Sequence, residues 1–211
     1  MKKIITCLSA VLFMLPAFAQ KDATAKKVLD KTAATLTSMK AIKTNFEITS
    51  FAGNTAQGTT SGVMYLDGNK YKTECPELIT WYDGKTQWAY VPENDEVNVC
   101  TPTKEELQTT NLYAFVGLYK KGYNYTMTEQ NSNGKKTYEI RLTAENKGAD
   151  IQEARINVDA NYIPFSIRVR QGSKNWTRIR VSNLQGKQKF AKDTFTFPTS
   201  KYPTAEIIDL R

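Results

Sequence analysis

Two kinds of hydrophobic spacing divide the sequence. Within residues 22–41, apolar side chains such as Val28, Leu29 and Leu36 recur at helical intervals, with lysines between them. From Thr44 onward, apolar and polar residues alternate, and β-branched and aromatic residues become frequent. The first spacing predicts one amphipathic helix, and the second predicts a long succession of strands.

Turn residues separate the predicted strands, most clearly at Asp67-Gly68-Asn69 and Asp83-Gly84. The Gly- and Thr-rich stretch 53–62 is predicted as a link. The strands are predicted around 46–48 and at 63–66, 71–75, 78–82, 86–91, 97–100, 123–128, 136–143, 153–158, 164–170, 176–184 and 194–197. Asp83-Gly84 indicates a hairpin with a two-residue loop, and pairing across it brings four large side chains onto one face: Ile79, Trp81, Trp88 and Tyr90.

A break in the strand pattern follows residue 100. Thr103 and Glu106 have the spacing of a capping box, and Leu112, Phe115 and Val116 follow, which predicts a helical insertion. The sheet then has more apolar surface than two helical segments cover, so it either closes into a barrel or curls around a cavity. Such a cavity suits a hydrophobic ligand. Aromatic side chains at strand spacing are equally typical of a filled core.

The N-terminus has the pattern of an export signal. Lys2 and Lys3 precede an apolar run over 4–15, and Ala17-Phe18-Ala19 provides small residues at the cleavage positions. We therefore expect residues 1–19 to be removed, and residues 20–211 to form one domain in the periplasm. Cys7 lies inside the apolar run, so a lipid anchor is not expected.

The charge is moderately basic, with 29 Lys and Arg against 21 Asp and Glu, or +8. The basic residues are scattered, which favours a solvated surface over a nucleic-acid site, and anionic lipid or acidic partners remain possible. Cys75 and Cys100 fall on strands predicted to be three apart, on the order of 14 Å, beyond the reach of a disulfide. Both thiols are expected to be free and buried.

Catalytic patterns are missing from the sequence. It contains no histidine, which excludes Ser-His-Asp and Cys-His arrangements and histidine zinc sites. There is no P-loop, dinucleotide fingerprint or Gly-x-Ser-x-Gly motif, and no Cys-x-x-Cys pair. We therefore expect no enzymatic activity, no cofactor and no metal, and a hydrolase without histidine is the weakest alternative.

The segment from Ile79 to Pro92, with Asp83-Gly84-Lys85 and Trp88-Ala89-Tyr90, resembles the hallmark hairpin of the LolA family of periplasmic lipoprotein carriers. Three further matches keep the family's order. They are Phe46 after the N-terminal helix, the strand 61–66 with Gly62, and the closing motif 193–198 with Phe195, Phe197 and Pro198. The resemblance covers nearly the whole mature chain.

The resemblance implies a mainly β (α+β) fold, an open antiparallel half-barrel of about eleven strands with the N-terminal helix and a helical lid over its concave face. It implies a monomeric carrier that receives lipid-modified proteins from an inner-membrane ABC-type release complex and delivers them to an outer-membrane acceptor. The expected lipid-binding side chains are Phe46, Ile48, Met64, Leu66, Tyr71, Ile79, Trp81, Trp88 and Tyr90 on the sheet, and Leu112, Phe115 and Val116 on the lid.

One position departs from the family pattern. The Arg-Pro pair that often follows the second strand, whose arginine restrains the lid in familiar members, is replaced by Asp67-Gly68-Asn69. An identical latch is therefore not expected. The alternative function is an envelope-stress sensor or regulator of the same half-barrel type, which binds lipoproteins or proteins without transporting them.

Overall fold

The computed structural model describes residues 21–107, 112–132, 134–172 and 174–211. The predicted signal peptide lies outside these ranges. The helices are α1 (Ala23–Met39), α2 (Lys104–Leu107) and α3 (Leu112–Gly117), with short 3-10 turns at Leu118–Lys120 and Thr199–Lys201. The strands are β1 (Ile42–Ala52), β2 (Thr55–Asp67), β3 (Lys70–Cys75), β4 (Leu78–Tyr82), β5 (Gln87–Val91), β6 (Glu96–Cys100), β7 (Tyr123–Ser132), β8 (Lys135–Ala144), β9 (Ile151–Asp159), β10 (Pro164–Gln171), β11 (Asn175–Gln185) and β12 (Glu206–Asp209).

Helix α1 forms where the amphipathic pattern predicts it. The Asp22 carboxylate caps its first turn by accepting hydrogen bonds from the backbone N–H groups of Thr24 and Ala25. Every buried residue of the helix lies on one face, at spacings of three or four: Ala25, Val28, Leu29, Thr32 and Leu36. The helix ends at Met39 because Lys40 turns out of the helical conformation, with φ of 56°.

All the described strands belong to one open sheet, in the order β12-β6-β5-β4-β3-β2-β1-β11-β10-β9-β8-β7. Neighbouring strands from β6 round to β7 are antiparallel, and β12 joins β6 in parallel. The edge strands β12 and β7 are not neighbours, so the sheet is an open half-barrel. The predicted mainly β fold is confirmed, with twelve strands because the C-terminal β12 extends one edge.

Three local predictions are corrected. Stretch 53–62 is not a link, because residues from Thr55 onward pair with β1 although their side chains are mostly exposed. Segment 194–197 is not a strand; the chain turns there and packs its phenylalanines against the sheet. The loop between β4 and β5 is four residues long, since Tyr82 pairs with Gln87. Backbone hydrogen bonding, which leaves no mark on side-chain periodicity, decides the first of these.

The two faces of the sheet carry separate cores. We call the face that α1 and α3 cover the inner face, and its core combines helix residues such as Leu29 and Phe115 with strand residues such as Ile140, Ile156 and Ile167. On the outer face, the C-terminal segment crosses β4–β6 and encloses Trp81, Val97, Val99 and Phe197. The molecule therefore has helices on one side of part of the sheet and an irregular chain on the other.

Candidate functional site: the inner face of the sheet

The inner face is built from rows of side chains that run across neighbouring strands. In one row Ile42 pairs with Leu66, Leu66 with Tyr71, and Tyr71 with Tyr82. Because all side chains in such a row point to the same side of the sheet, the row forms a continuous apolar band. Ile42 and Leu66 are fully buried, and the rings of Tyr71 and Tyr82 lie 5.1 Å apart.

A second part of the inner face is covered less completely by the helices. Met64, Ile179 and Val181 are only partly buried and pack against the margin of the inner core. Ile48 pairs with Ile179, and Phe46 pairs with Val181, so these side chains share the same surface. Ile48, Met64, Ile179 and Val181 therefore form a half-buried apolar patch on the inner face.

Gly62 makes room for Phe46 within this surface. The two residues pair directly across β1 and β2. A Cβ atom at position 62 would lie 2.8 Å from the Phe46 ring and 2.1 Å from the Glu74 carbonyl oxygen. Only glycine allows this approach of ring and backbone, which explains its place in the strand 61–66.

The helical insertion covers part of the inner face together with α1. The predicted capping box is present, since the Thr103 backbone N–H donates to the Glu106 carboxylate at 2.7 Å and the Glu106 N–H donates to Thr103 Oγ1 at 3.2 Å. Phe115 and Val116 are buried in the inner core together with α1. The side chain of Leu112 lies outside the described part of the structure.

Tyr119 ties the insertion to α1. Its hydroxyl donates a hydrogen bond of 2.6 Å to the Asp30 carboxylate. Burial and this carboxylate both raise the pKa of Tyr119 far above its ordinary value, while hydrogen bonds from Lys26 and Tyr119 lower the pKa of Asp30. The pair therefore stays a neutral phenol on an ionised carboxylate, which is the stronger form of this bond.

Four of the predicted lining residues lie on the other face of the sheet. Pairing does bring Ile79 opposite Tyr90 and Trp81 opposite Trp88, as predicted. Their side chains, however, pack in the outer core against the C-terminal segment, where the Trp81 ring meets Phe197 at 5.4 Å. The aromatic quartet is therefore packed core under the C-terminal segment, and the prediction that it shares one cavity with Phe46 and Tyr71 is wrong.

Register between β3 and β4 explains the error. Cys75 pairs with Leu78 across the Pro76-Glu77 turn, so Tyr71 faces the same side as Tyr82 and the opposite side from Trp81. A register difference of one residue exchanges the two faces of a strand. The tight turn at Pro76-Glu77 is the sequence signal from which the correct register, with Tyr82 and not Trp81 on the inner face, could have been predicted.

The five other predicted sheet residues, Phe46, Ile48, Met64, Leu66 and Tyr71, do lie on the inner face. The prediction missed the larger half of this surface, on β7–β11. That half consists of apolar residues in register across adjacent strands: Met127, Ile140, Ile156, Ile167 and Ile179. Their strict alternation with polar residues was visible in the sequence and marks them as one face.

The two cysteines are the remaining candidates for reactive chemistry that the sequence singled out. Cys75 and Cys100 are free, as predicted, but each is half-buried, so the prediction that both are buried is wrong. Burial raises the pKa of the Cys100 thiol, which keeps it protonated and unreactive. Among the described residues, no three His, Cys, Asp or Glu side chains converge on a possible metal site. None of the described helices is both long and apolar enough to cross a membrane.

An open, mainly antiparallel half-barrel with an apolar inner face under helices defines the class of the molecule. The chain belongs to the family described as outer membrane lipoprotein carrier protein LolA, whose model matches residues 15–173. No curated protein matches the sequence significantly.

Similar folds occur among solved structures. An uncharacterised conserved protein from Thermus thermophilus aligns with a TM-score of 0.58 at 9% identity, covering 88% of this chain and 99% of that one. Lipoprotein LppX from Mycobacterium tuberculosis aligns with a TM-score of 0.49 at 13% identity, covering 80% of this chain and 98% of that one. A LolA superfamily protein from Nitrosomonas europaea aligns with a TM-score of 0.44 at 12% identity, covering 82% of this chain and 97% of that one. The first of these supports the overall fold.

Proposed function

We propose that this protein is a periplasmic carrier that shelters the acyl chains of lipid-modified proteins between the inner face of its sheet and its helices. The observation that carries the proposal is the continuous apolar inner face, from β7 across β11 and β1 to β4, in a chain of the LolA carrier family. Its half-buried margin at Ile48, Met64, Ile179 and Val181 is the point of entry.

Burial of hydrocarbon supplies the affinity. Each methylene removed from water contributes roughly 0.8 kcal/mol, so an acylated anchor needs cover to cross an aqueous compartment. In this conformation the centre of the inner face is already filled, because Leu29, Phe115 and Val116 pack against it. An acyl chain therefore takes the place of α3 on the sheet, and α3 returns when the lipid leaves.

Transport is a proposal about partners as well as about the cavity. We infer an inner-membrane ABC-type release complex as the donor of the lipoprotein and an outer-membrane acceptor as its recipient. The carrier itself performs no catalysis in this scheme. Exchange is driven by the difference in burial that each partner offers to the acyl chains.

The half-buried patch supplies the test. A fluorescent fatty acid should bind the wild-type protein, and Ile179→Glu should weaken that binding by about tenfold or more, because an unpaired carboxylate would face hydrocarbon. Ser182→Glu is the matched control, since Ser182 is exposed on the same strand and its side chain faces the other side of the sheet. Circular dichroism verifies that both variants are folded.

Equal binding by the two variants, or no binding by the wild-type protein, would refute the inner face as the acyl site. Native mass spectrometry of protein purified from the periplasm should reveal a bound lipopeptide. A carrier should transfer that lipopeptide to outer-membrane vesicles. A sensor of the same fold should keep the lipopeptide bound, so this transfer distinguishes the two functions.

A further inference from the structure

The outer face of β8–β11 carries a row of four arginines in direct register. Arg141 pairs with Arg155, Arg155 with Arg168, and Arg168 with Arg178. Like charges placed opposite each other on adjacent strands destabilise a sheet. Three such pairs in succession lower the stability of the fold. Residue choices that lower stability in this way are expected at functional sites.

Two further arginines flank this row, and few carboxylates balance it. Arg170 and Arg180 lie on β10 and β11 beside the row. Ion pairs of the described residues connect five of the six arginines to two carboxylates, with Glu153 contacting Arg141, Arg155 and Arg170, and Glu47 contacting Arg178 and Arg180. We call these six arginines the arginine row. It holds a clear excess of positive charge.

Arg168 at the centre of the row has no ion pair within the described part of the chain. Its guanidinium lies over the rings of Trp176 at 4.8 Å and Phe51 at 5.1 Å. The Nε atoms of Arg168 and Arg178 are buried and have no hydrogen-bond partner. The stems of these side chains are therefore fixed by the aromatic rings, while their donors are incompletely used.

The arginine row is most open to solvent at its two ends and is half-buried at its centre. The side chains of Arg141 and Arg180 are 53% and 57% exposed, and Phe165, which lines the same groove as Arg180, is 40% exposed. A groove of about 890 Å³ adjoins the row, lined by Arg178 and Arg180 together with Asn157, Ser166 and Ser182. Both charged and neutral hydrogen-bond donors are thus available on this side of the sheet.

We propose that the arginine row docks the protein onto a membrane surface that presents phosphate headgroups. The row of four spans on the order of 14 Å across its strands, which is too long for one phosphate and suits several at once. Guanidinium groups bind phosphate oxygens in pairs. Trp176 provides an amphipathic ring of the kind that such an interface favours, and the exposed Phe165 adds apolar surface. The site lies on the opposite face from the proposed acyl site and stands independently of it.

Vesicle binding tests the proposal. Mature wild-type protein should float with vesicles of phosphatidylcholine that contain phosphatidylglycerol, and should not bind phosphatidylcholine alone. The double variant Arg168→Gln/Arg178→Gln should bind the anionic vesicles about 30-fold more weakly. Emission from Trp176 should change on binding, and Trp176→Phe should abolish that change.

The control variant is Lys120→Gln/Lys121→Gln, which removes the same charge at exposed positions outside the arginine row. It should retain nearly all of the binding. An equal loss in both double variants would show a net-charge effect and overturn the proposal. So would an absence of vesicle binding, which would favour an acidic protein partner, or an equal response of Trp176 to inorganic phosphate, which would indicate a small-anion site.

Discussion

At the scale of single residues, Glu153 has the most demanding surroundings among the carboxylates of the outer face. Its side chain is only 5% exposed, and it accepts hydrogen bonds of 2.9 Å from both Arg141 and Arg155. Burial alone would raise the pKa of this carboxyl, but the hydrogen bonds and charges of the arginines outweigh burial and lower it. Glu153 therefore stays ionised and holds part of the arginine row in place.

Replacing Glu153 with glutamine should reduce the free energy of unfolding by about 2 kcal/mol at neutral pH, because the arginines lose their charged acceptor. Since the folded pKa of Glu153 is depressed, its contribution is complete above the ordinary value of 4.5 and is lost as pH falls through the lower folded value. The difference in the free energy of unfolding between wild type and the glutamine variant should therefore become smaller at acid pH. Urea unfolding at a series of pH values measures this difference, and a constant difference would contradict the assignment.

At the scale of elements, the β4–β5 hairpin and the C-terminal segment form one unit. Tyr202 packs its ring against Tyr90 at 4.4 Å and against Phe197 at 5.3 Å. The backbone N–H of Glu206 then donates to the Asp95 carbonyl, where β12 begins to pair with β6. The hallmark hairpin and the closing Phe-x-Phe-x-Pro motif are thus explained by mutual packing.

The insertion and α1 form the second such unit, held by Tyr119 and Asp30. This contact links helix to insertion, whereas the latch of familiar family members uses an arginine next to the second strand, which Asp67-Gly68-Asn69 replaces here. We infer that the Tyr119–Asp30 hydrogen bond takes over part of the restraint. The sheet residues beneath it are apolar, so opening the insertion exposes a surface suited to acyl chains.

Tyr119→Phe should accelerate uptake of the fluorescent fatty acid by about tenfold, because one hydrogen bond to a charged group is lost while the ring packing is retained. Stopped-flow mixing measures the rate. The matched control is Tyr162→Phe, which removes a hydroxyl that accepts a hydrogen bond from Lys31 of the same helix, away from the insertion. If both variants take up the probe at the wild-type rate, Tyr119 does not restrain the insertion.

At the scale of the whole molecule, three surfaces of the sheet have different coverings. The helices cover the inner face, the C-terminal segment covers the outer face of β4–β6, and the outer face of β8–β11 presents the arginine row. In the function that we propose, the first surface holds the acyl cargo and the third docks on a membrane surface. The second closes a core that the helices do not reach.

Export is the prediction that concerns the whole chain. The protein should be recovered from the periplasmic fraction with Gln20 as its first residue, because the pattern of residues 1–19 is that of a cleaved signal. N-terminal sequencing or intact mass measurement checks this. Retention of residues 1–19, or a lipid attached to a cysteine, would contradict it.

The sequence by itself determined most of the elements and the pairing within the β4–β5 hairpin. Helix α1, the capping box of the insertion, the free cysteines and the pairing of Trp81 with Trp88 follow from local spacing, because periodicity and turn chemistry act between near neighbours in the chain. The family hallmarks, which combine several of these local patterns, indicated the open half-barrel in the same way.

Only the tertiary structure decided on which face of the sheet each of these aromatic side chains lies. Trp81 and Tyr82 are adjacent in sequence, and both are large and aromatic, so composition does not distinguish the inner face from the outer. The choice depends on the register across Pro76-Glu77 and on the C-terminal segment, which brings Phe197 over Trp81 from more than a hundred residues away. The arginine row likewise exists only because β8, β9, β10 and β11 align their arginines in register, a long-range relation that no local pattern contains.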